Sequence, residues 1–292
     1  MTNKKLHALC KRINDCETIE QVIATLERFT RRLPQRKKRG TWGYNAQKLV
    51  DALQYQMGAA FSIFAKGNGK LPFYAFSTLP KYTCPGAGDC LDWCYSFRAW
   101  RYPAAFFRQL QNTILLTYRP QTIANAFLDL PNGIECRLYV DGDFESSERV
   151  AYWMELLNQR PDINAYGYSK SWAQLIEHNI NSGNWAENYT LNLSSGSKFA
   201  NNQRYFEAVS RLPITRGQFV AVPINGDDIP RGTARYNSPE YHARVRNALR
   251  ETYGKRVASC TGFCGDCDNG KGKHWCGDRE KLQNVVIGIG IH

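Results

Sequence analysis

From residue 73 onward, short apolar runs alternate with segments of helical periodicity, and this alternation constrains the fold more than any other feature of the sequence. Strands that are separated by helices pair in parallel through right-handed crossovers. The sequence therefore predicts an α/β fold built on a parallel sheet, either as a barrel or as an open sheet. Six runs have the length and composition of its strands: Phe73–Ser77, Ile134–Val140, Asn164–Tyr168, Tyr189–Leu193, Phe219–Ile224 and Val285–Ile291.

Polar, small or thiol-bearing residues follow five of these strands. In a parallel sheet or barrel the carboxyl ends of the strands share one face, where ligands bind. The sequence thus predicts one ligand site built from five loops, although ordinary turn chemistry is the alternative explanation for any single loop. The five segments are Cys84–Cys94, Asp141–Asp143, Ser169–Ser171, Ser194–Gly196 and Asn225–Asp227.

The first of these loops holds Cys84, Cys90 and Cys94 within eleven residues. Thiols at such short spacing bind a soft metal, an iron–sulfur cluster or each other. The start of the chain has no apolar segment of the secretory kind, so we expect a cytoplasmic protein, in which thiols stay reduced. The ten cysteines of the chain therefore favour metal or cluster binding over disulfides.

A second group of cysteines lies between the fifth and sixth predicted strands, in a glycine-rich module at residues 257–278. Four thiols satisfy either a tetrahedral zinc site or a four-ligand iron–sulfur cluster. The spacing leaves both open, and a group without metal is a third alternative. The ligands would be Cys260, Cys264, Cys267 and Cys276.

The N-terminal part of the chain, residues 1–70, has helical periodicity and a basic bias. Its run from Arg28 to Arg39 holds seven basic residues and no acid, and the whole chain carries a formal net charge of +12. Such a surplus favours phosphate-rich partners, above all nucleic acid, although a solvated linker is an alternative explanation for the run. The candidate contacts are Arg31, Arg32, Arg36, Lys37, Lys38 and Arg39.

Hydrophobic residues make up 43% of the chain, which is typical of a globular protein. No run of about 18 apolar residues is present, so the sequence predicts neither a membrane span nor a membrane partner. The sequence also contains no glycine-rich phosphate loop of the P-loop or dinucleotide-binding kind. It gives no indication of the oligomeric state.

The three-cysteine loop after a first strand, followed by the α/β alternation, resembles the core of radical S-adenosylmethionine enzymes. The resemblance implies a partial (β/α)6 barrel similar to a TIM barrel, spanning residues 71–292, with a helical N-terminal extension and a cysteine-rich C-terminal insertion. It also implies a 4Fe–4S cluster on Cys84, Cys90 and Cys94. In that family the fourth iron binds the amino and carboxyl groups of S-adenosylmethionine.

The same resemblance implies roles for residues at the strand ends. Trp93, before the last cysteine of the loop, would lie near the adenine, and Asp141, Gly142 and Asp143 would hold the methionyl amino group. Asn192 and Ser194 would reach the ribose. Lys170, at the end of the third strand, is a candidate contact for a carboxylate or a substrate, with a solvated lysine as the alternative.

Residues 73–292 also resemble a phage- and plasmid-borne family called gene product eighty-eight. The matching elements are the cysteine loop Cys84–Tyr95, the motif Gly142–Phe144 and the strand end Tyr166–Ser171. The activity of that family is poorly defined, so the resemblance implies a mobile-element protein without specifying its chemistry.

Two classes of function follow from these features. The first is an iron–sulfur enzyme of the radical S-adenosylmethionine type that acts on or with nucleic acid. The second is a non-catalytic DNA- or RNA-binding regulatory protein that contains zinc or a cluster. A host-interaction protein without catalysis is a third alternative. The sequence does not identify a substrate.

Overall fold

A seven-stranded parallel sheet forms the centre of the computed structural model, which describes residues 1–34, 38–67, 71–224, 238–267, 275–280 and 282–291. Its strands lie in the order β1-β2-β3-β4-β5-β7-β6, so that β1 and β6 stand at the two ends. Every ladder in this order is parallel. The strands are β1 (Tyr74–Ala75), β2 (Glu135–Leu138), β3 (Asn164–Ser169), β4 (Tyr189–Ser194), β5 (Thr215–Pro223), β6 (Val257–Ser259) and β7 (Val286–Ile291).

Helices precede the sheet and connect its strands. Three of them come before β1, and the others follow β1 to β5. They are α1 (Asn3–Asn14), α2 (Ile19–Arg31), α3 (Trp42–Gln54), α4 (Ser96–Ala99), α5 (Pro103–Tyr118), α6 (Pro120–Leu128), α7 (Ser147–Gln159), α8 (Trp172–Asn181), α9 (Gln203–Ser210) and α10 (Pro239–Tyr253).

The helix α7 shows how the sequence produces these elements. The Ser146 hydroxyl accepts a hydrogen bond from the Arg149 amide, which satisfies a free donor at the start of the helix. Val150, Trp153 and Leu157 then recur at helical spacing and are fully buried. This face packs on the sheet, where the Trp153 ring centroid lies 4.9 Å from that of Phe76.

The N-terminal helices share one hydrophobic core with the connecting helices and with one face of the sheet. Leu6 of α1, Leu26 of α2 and Leu49 of α3 belong to the same cluster of buried side chains as Leu138 and Leu191 of the sheet. The three N-terminal helices therefore pack against the α/β part through apolar contacts.

The described residues of the cysteine-rich segment after α10 cover the other face of the sheet. Cys276 is buried together with Phe73, Tyr166 and Ile287, and Cys260 and Cys264 pack against this cluster. The segment begins with β6, which pairs with β7 through Val257 and Val286. The predicted insertion is thus in part a strand of the sheet itself.

The predicted α/β class with a parallel sheet is confirmed, and closure into a partial barrel stays a prediction. All six predicted strands are present, with β1 reduced to two residues and β5 beginning at Thr215. The sequence does not predict the seventh strand, β6, because three residues are too few to show an alternating pattern. The predicted strand end Asn225–Asp227 lies outside the described residues.

Candidate metal centre

The three-cysteine loop starts beside the end of β2. The Thr78 amide donates to the Asp141 carbonyl oxygen at 2.9 Å, and the Thr78 and Thr83 hydroxyls are hydrogen-bonded at 2.8 Å. Gly142 lies against this turn with φ +84°, and a Cβ there would be 1.9 Å from the Thr78 hydroxyl oxygen. Only glycine fits this position, which brings the start of the loop to the carboxyl end of β2.

The middle of the loop is bound to the segment that follows β4. The Gly88 amide donates to the Gly196 carbonyl oxygen at 3.0 Å, and the Lys198 amide donates to the Gly86 carbonyl oxygen at 3.0 Å. Ala87 and Ser197 form an antiparallel bridge between these bonds. The loop therefore lies across the carboxyl ends of the strands, as the sequence predicts.

Two glycines allow this close approach. A Cβ on Gly86 would lie 1.7 Å from the Lys170 carbonyl oxygen, and a Cβ on Gly196 would lie 2.8 Å from the Cβ of Cys90. Real Cβ atoms do not come this close to backbone or to another Cβ. Gly86 and Gly196 therefore allow the loop to pack against the ends of β3 and β4, because neither position has room for a side chain.

The three thiols lie in one neighbourhood at this edge. Cys90 is buried, whereas Cys84 and Cys94 are half-buried. Burial raises the pKa of the Cys84 thiol, nearby Asp143 raises it further, and Lys170 opposes both. Burial likewise raises the pKa of Cys90, with Lys170 opposing. Without a metal ion, Cys84 and Cys90 are therefore protonated near neutral pH.

Asp143 organises the ends of β2 and β3 beneath the thiols. Its carboxylate accepts the Phe144 amide at 2.8 Å, the Lys170 amide at 2.7 Å and the Ser171 amide at 3.2 Å. Burial raises the pKa of Asp143 despite these bonds. The Lys170 ammonium reaches across to the Ser194 hydroxyl of β4 at 2.8 Å. The predicted residues Asp143, Lys170 and Ser194 are thus brought together beside Cys84 and Cys90.

The other predicted cofactor contacts are placed differently. The Asp141 carboxylate accepts the Gln109 amide at 2.9 Å and is held within the fold. Trp93 lies at the surface with 37% of its area exposed. Asn192 lies at the second cysteine group, where its amide donates to the Cys276 carbonyl oxygen at 2.8 Å and accepts from the Arg216 guanidinium at 2.6 Å.

The cysteines of the second group lie close to one another on one face of the sheet. Burial raises the pKa of Cys260, and Cys276, Cys267 and Cys264 raise it further because all four thiols lie close together. The Gly262 amide donates to the Cys260 sulfur at 3.4 Å, and the Thr261 hydroxyl and the Cys267 sulfur are 3.1 Å apart. Hydrogen bonds of this kind surround metal-bound sulfurs.

Two arginines that the sequence did not single out lie near Cys264 and Cys276 of this group. Arg216 is fully buried and donates to the carbonyl oxygens of Leu282 and Val285 at 3.1 and 2.8 Å. Burial lowers the pKa of Arg216, and the Cys276 thiol opposes that shift. The described residues provide no carboxylate within ion-pair distance of Arg216 or Arg137.

Arg137 of β2 lies between the two cysteine groups. Its guanidinium stands 4.5 Å from the ring centroid of Tyr168, and its buried Nε has no hydrogen-bond partner among the described residues. Burial lowers the pKa of Arg137, but the nearby hydroxyls of Tyr168, Tyr95 and Tyr166 and the Cys264 thiol outweigh it, so the pKa is raised. One feature of the sequence indicates the position of Arg137. Polar and apolar residues alternate in Glu135–Leu138, which indicates a polar inner face of this strand.

The thiols of both groups are suitable metal ligands, although the described side chains do not stand in the positions that a bound metal ion requires. No three His, Cys, Asp or Glu side chains of the described residues are placed so that they could hold a metal ion. The chemistry of the thiols nevertheless suits iron or zinc, three in the first group and four in the second. Four thiolates outweigh the charge of a divalent ion, and buried guanidinium groups are suitable counter-ions for that complex.

The predicted nucleic-acid contacts lie at the surface where they are described. Arg31 ends α2 with 74% of its side chain exposed, at 3.8 Å from Glu27. Arg32, Lys38 and Arg39 are exposed, and Arg36 and Lys37 lie outside the described residues. None of the helices described is long and apolar enough to cross a membrane.

Comparison with known proteins identifies the family. A sequence model of the family described as Gene product 88 matches residues 45–270, which is more than half of the chain. The match includes the first cysteine loop, the strand ends that surround it and three of the four cysteines in the second group. No curated protein and no solved structure matches the chain. The chain belongs to the gene product 88 family.

Proposed function

We propose that this chain is an iron–sulfur protein that binds a 4Fe–4S cluster through Cys84, Cys90 and Cys94 and resembles radical S-adenosylmethionine enzymes. The observation that carries the proposal is the position of the three thiols, which one loop holds across the carboxyl ends of parallel strands, beside Lys170 and Ser194. Three ligands leave one iron of such a cluster without a protein thiolate.

In this proposal the residues of the site would have separate roles. Cys84, Cys90 and Cys94 would hold the cluster, and Lys170, oriented by Ser194 at 2.8 Å, would attract the carboxylate of S-adenosylmethionine. Asp143 fixes the backbone amides of Lys170 and Ser171, and so positions the lysine. A bound cluster would supply single electrons for reductive cleavage of the sulfonium.

A closed second centre completes the proposal. Cys264 and Cys276 of the second group lie against the tyrosines of β3, with Arg137 and Arg216 beside them. Cys260 and Cys267 would complete the ligand set. Zinc or a second cluster in this position would stabilise the segment that covers the sheet. In this account the second group is structural and the first is open to ligands.

The second candidate function is a non-catalytic regulatory protein that contains zinc or a cluster and binds DNA or RNA. The second cysteine group favours it, because its four thiols match the donor set of tetrathiolate zinc sites, which are commonly structural in proteins. The net charge of +12 and the exposed Arg31 and Arg32 support nucleic acid as the partner in either case. A family named after a gene product agrees with the proposed origin in a phage or plasmid.

The experiment that separates the two functions is a turnover assay under anaerobic conditions. Protein purified without oxygen is incubated with dithionite and S-adenosylmethionine, and 5′-deoxyadenosine is measured. The proposal expects product from the wild-type chain and none from Lys170→Met or from Cys90→Ser. Tyr55→Ala, at the exposed end of α3, is the matched control. Iron-loaded wild-type protein that gives no product would favour the regulatory function.

A further inference from the structure

Exposed aromatic rings are concentrated in the ten residues from Trp93 to Tyr102, which begin inside the first cysteine loop. Eight large apolar side chains are exposed in the described chain, and three of them are Trp93, Tyr95 and Tyr102, at 37%, 53% and 59%. Isolated exposed rings are ordinary on protein surfaces, but three in one short segment form a patch. Trp93 is the one tryptophan in that exposed set.

Two exposed arginines continue the same surface. Amides donate to carbonyl oxygens three residues earlier at Arg98–Tyr95, Trp100–Phe97 and Tyr102–Ala99, at 2.9, 3.3 and 3.0 Å. Side chains three residues apart on a helical turn are neighbours, so Tyr95 and Arg98 lie on the same side of α4, and Arg101 follows three residues later. Arg98 and Arg101 are exposed and take part in none of the ion pairs found among the described residues.

Hydrogen bonds and a buried side chain fix the residues of this patch in place. The Tyr95 hydroxyl donates to the Val140 carbonyl oxygen at 2.5 Å, so its exposed ring is fixed. Trp100 is fully buried beneath the turn, and its indole donates to Gln109 at 2.8 Å. The Arg101 guanidinium lies 5.2 Å from the ring centroid of Tyr102. A preformed surface of this kind loses little conformational entropy when a ligand binds.

We infer that this aromatic–arginine stripe, Trp93, Tyr95, Arg98, Arg101 and Tyr102, binds single-stranded nucleic acid at the rim of the three-cysteine loop. Flat rings accept unpaired bases by stacking, and guanidinium groups contact the phosphates between them. Two acids, Asp89 and Asp92, precede the stripe, but the net charge of +12 favours a polyanion over the whole chain. The stripe begins one residue before Cys94, so a bound strand would pass the thiols.

This inference deepens the proposed function by naming its substrate class. Only the reaction of the bound strand rests on the proposed function; binding of the strand does not. The test is therefore a binding measurement made without S-adenosylmethionine. Fluorescein-labelled single-stranded DNA and RNA of about 15 nucleotides are titrated with the full chain, and anisotropy is recorded at several salt concentrations. A duplex of the same sequence and vesicles of acidic phospholipid serve as competing ligands.

Trp93→Ala with Tyr102→Ala should weaken binding of a single strand by roughly 30-fold or more, because each of the two stacked bases contributes about 1–3 kcal/mol by alanine substitution. Trp93→Phe, which keeps a ring, should restore much of the affinity of Trp93→Ala. Arg98→Gln with Arg101→Gln should reduce the slope of log affinity against log salt by about 1.4. Tyr55→Ala and Arg211→Gln with Arg250→Gln, all exposed elsewhere, should leave affinity and slope near the wild-type values.

Equal loss of affinity in the stripe variants and the controls would overturn the inference, as would tighter binding to the duplex or to vesicles than to single strands. Comparison of the DNA and RNA strands then identifies which acid is preferred. Iron content and 5′-deoxyadenosine are measured separately. A chain that binds single strands through the stripe but holds no iron would therefore contradict the proposed function alone.

Discussion

At the scale of single residues, the contact between Gly196 and Cys90 tests whether the loop is seated as described. Gly196→Ala places a Cβ 2.8 Å from the Cys90 Cβ, so we expect the free energy of unfolding to fall by about 1–3 kcal/mol from overpacking. The control is Gly58→Ala. Both glycines have φ +76°, and a Cβ on Gly58 would meet nothing within 4 Å. Urea denaturation measures the difference between the two variants.

The same pair of variants also reports on the thiols. Because the added methyl group displaces Cys90, Gly196→Ala should bind less iron than Gly58→Ala after anaerobic reconstitution. Variants with equal stability and equal iron content would show that the loop does not lie against the end of β4 in solution.

A second residue-scale prediction concerns pH and lies far from the thiols. Two hydrogen bonds from Arg160, both 2.8 Å, and one from the Gly133 amide lower the pKa of Asp162. A folded-state pKa below that of the unfolded chain adds stability above about pH 4, and this stability is lost as the pH falls towards the folded-state value. Asp162→Asn should therefore be less stable than wild type at pH 7, with the difference shrinking below about pH 4.

Urea midpoints between about pH 3 and pH 7 measure this effect, with Asp129→Asn as an exposed control in the same region. A difference between wild type and Asp162→Asn that does not change with pH would show that the ion pair is absent in solution.

At the scale of elements, the cysteine-rich segment is expected to hold its place on the sheet through a metal. Cys276→Ser should remove about one equivalent of metal, or one cluster, and lower the free energy of unfolding by more than about 2 kcal/mol, because the segment covers Phe73, Tyr166 and Ile287. Cys136→Ser is the control, since that thiol is also buried but lies on the helix-covered face.

Metal analysis and urea denaturation of the two variants separate the effects. The control should lose stability from its buried hydroxyl without losing metal. If Cys276→Ser retained all of its metal, the second group would be a set of buried thiols and not a metal site.

The elements themselves were largely predictable from the sequence. Apolar runs such as Ile134–Val140 gave the strands, and their polar ends gave the common edge to which the structure brings Asp143, Lys170 and Ser194. Local patterns do not determine which segment covers the free face of a sheet. Arg137, Arg216 and Asn192 acquire their roles when the cysteine-rich segment, far away in the chain, packs on that face.

At the scale of the whole molecule, the two cysteine groups occupy neighbouring regions of one sheet, with Arg137 between them. Tyr95, which follows the last cysteine of the loop, and Cys264 of the second group both act on the pKa of Arg137. The first group lies at the carboxyl ends of the strands, and the second group lies on the face of the sheet. Such a division suits one functional centre and one structural centre.

The charge of the molecule gives a further prediction. Replacing Arg36, Lys37, Lys38 and Arg39 by alanine should reduce the salt slope of single-strand binding by about 2.8, because each phosphate contact contributes about 0.7. Anisotropy titrations between about 50 and 200 mM salt measure the slope. Alanine at Lys4, Lys5, Lys11 and Arg12, on α1, gives a control with the same change of charge. An equal slope for wild type and the basic-run variant would remove the run from the interface.

The most direct test of the central claim is the iron content of the first cysteine loop. After anaerobic reconstitution, Cys84→Ser/Cys90→Ser/Cys94→Ser should contain about four fewer iron atoms per chain than wild type and lose the corresponding absorption at about 400 nm. Cys16→Ser, a half-buried thiol outside both groups, should match wild type. Unchanged iron in the triple variant, or zinc as the sole metal lost from it, would contradict the account.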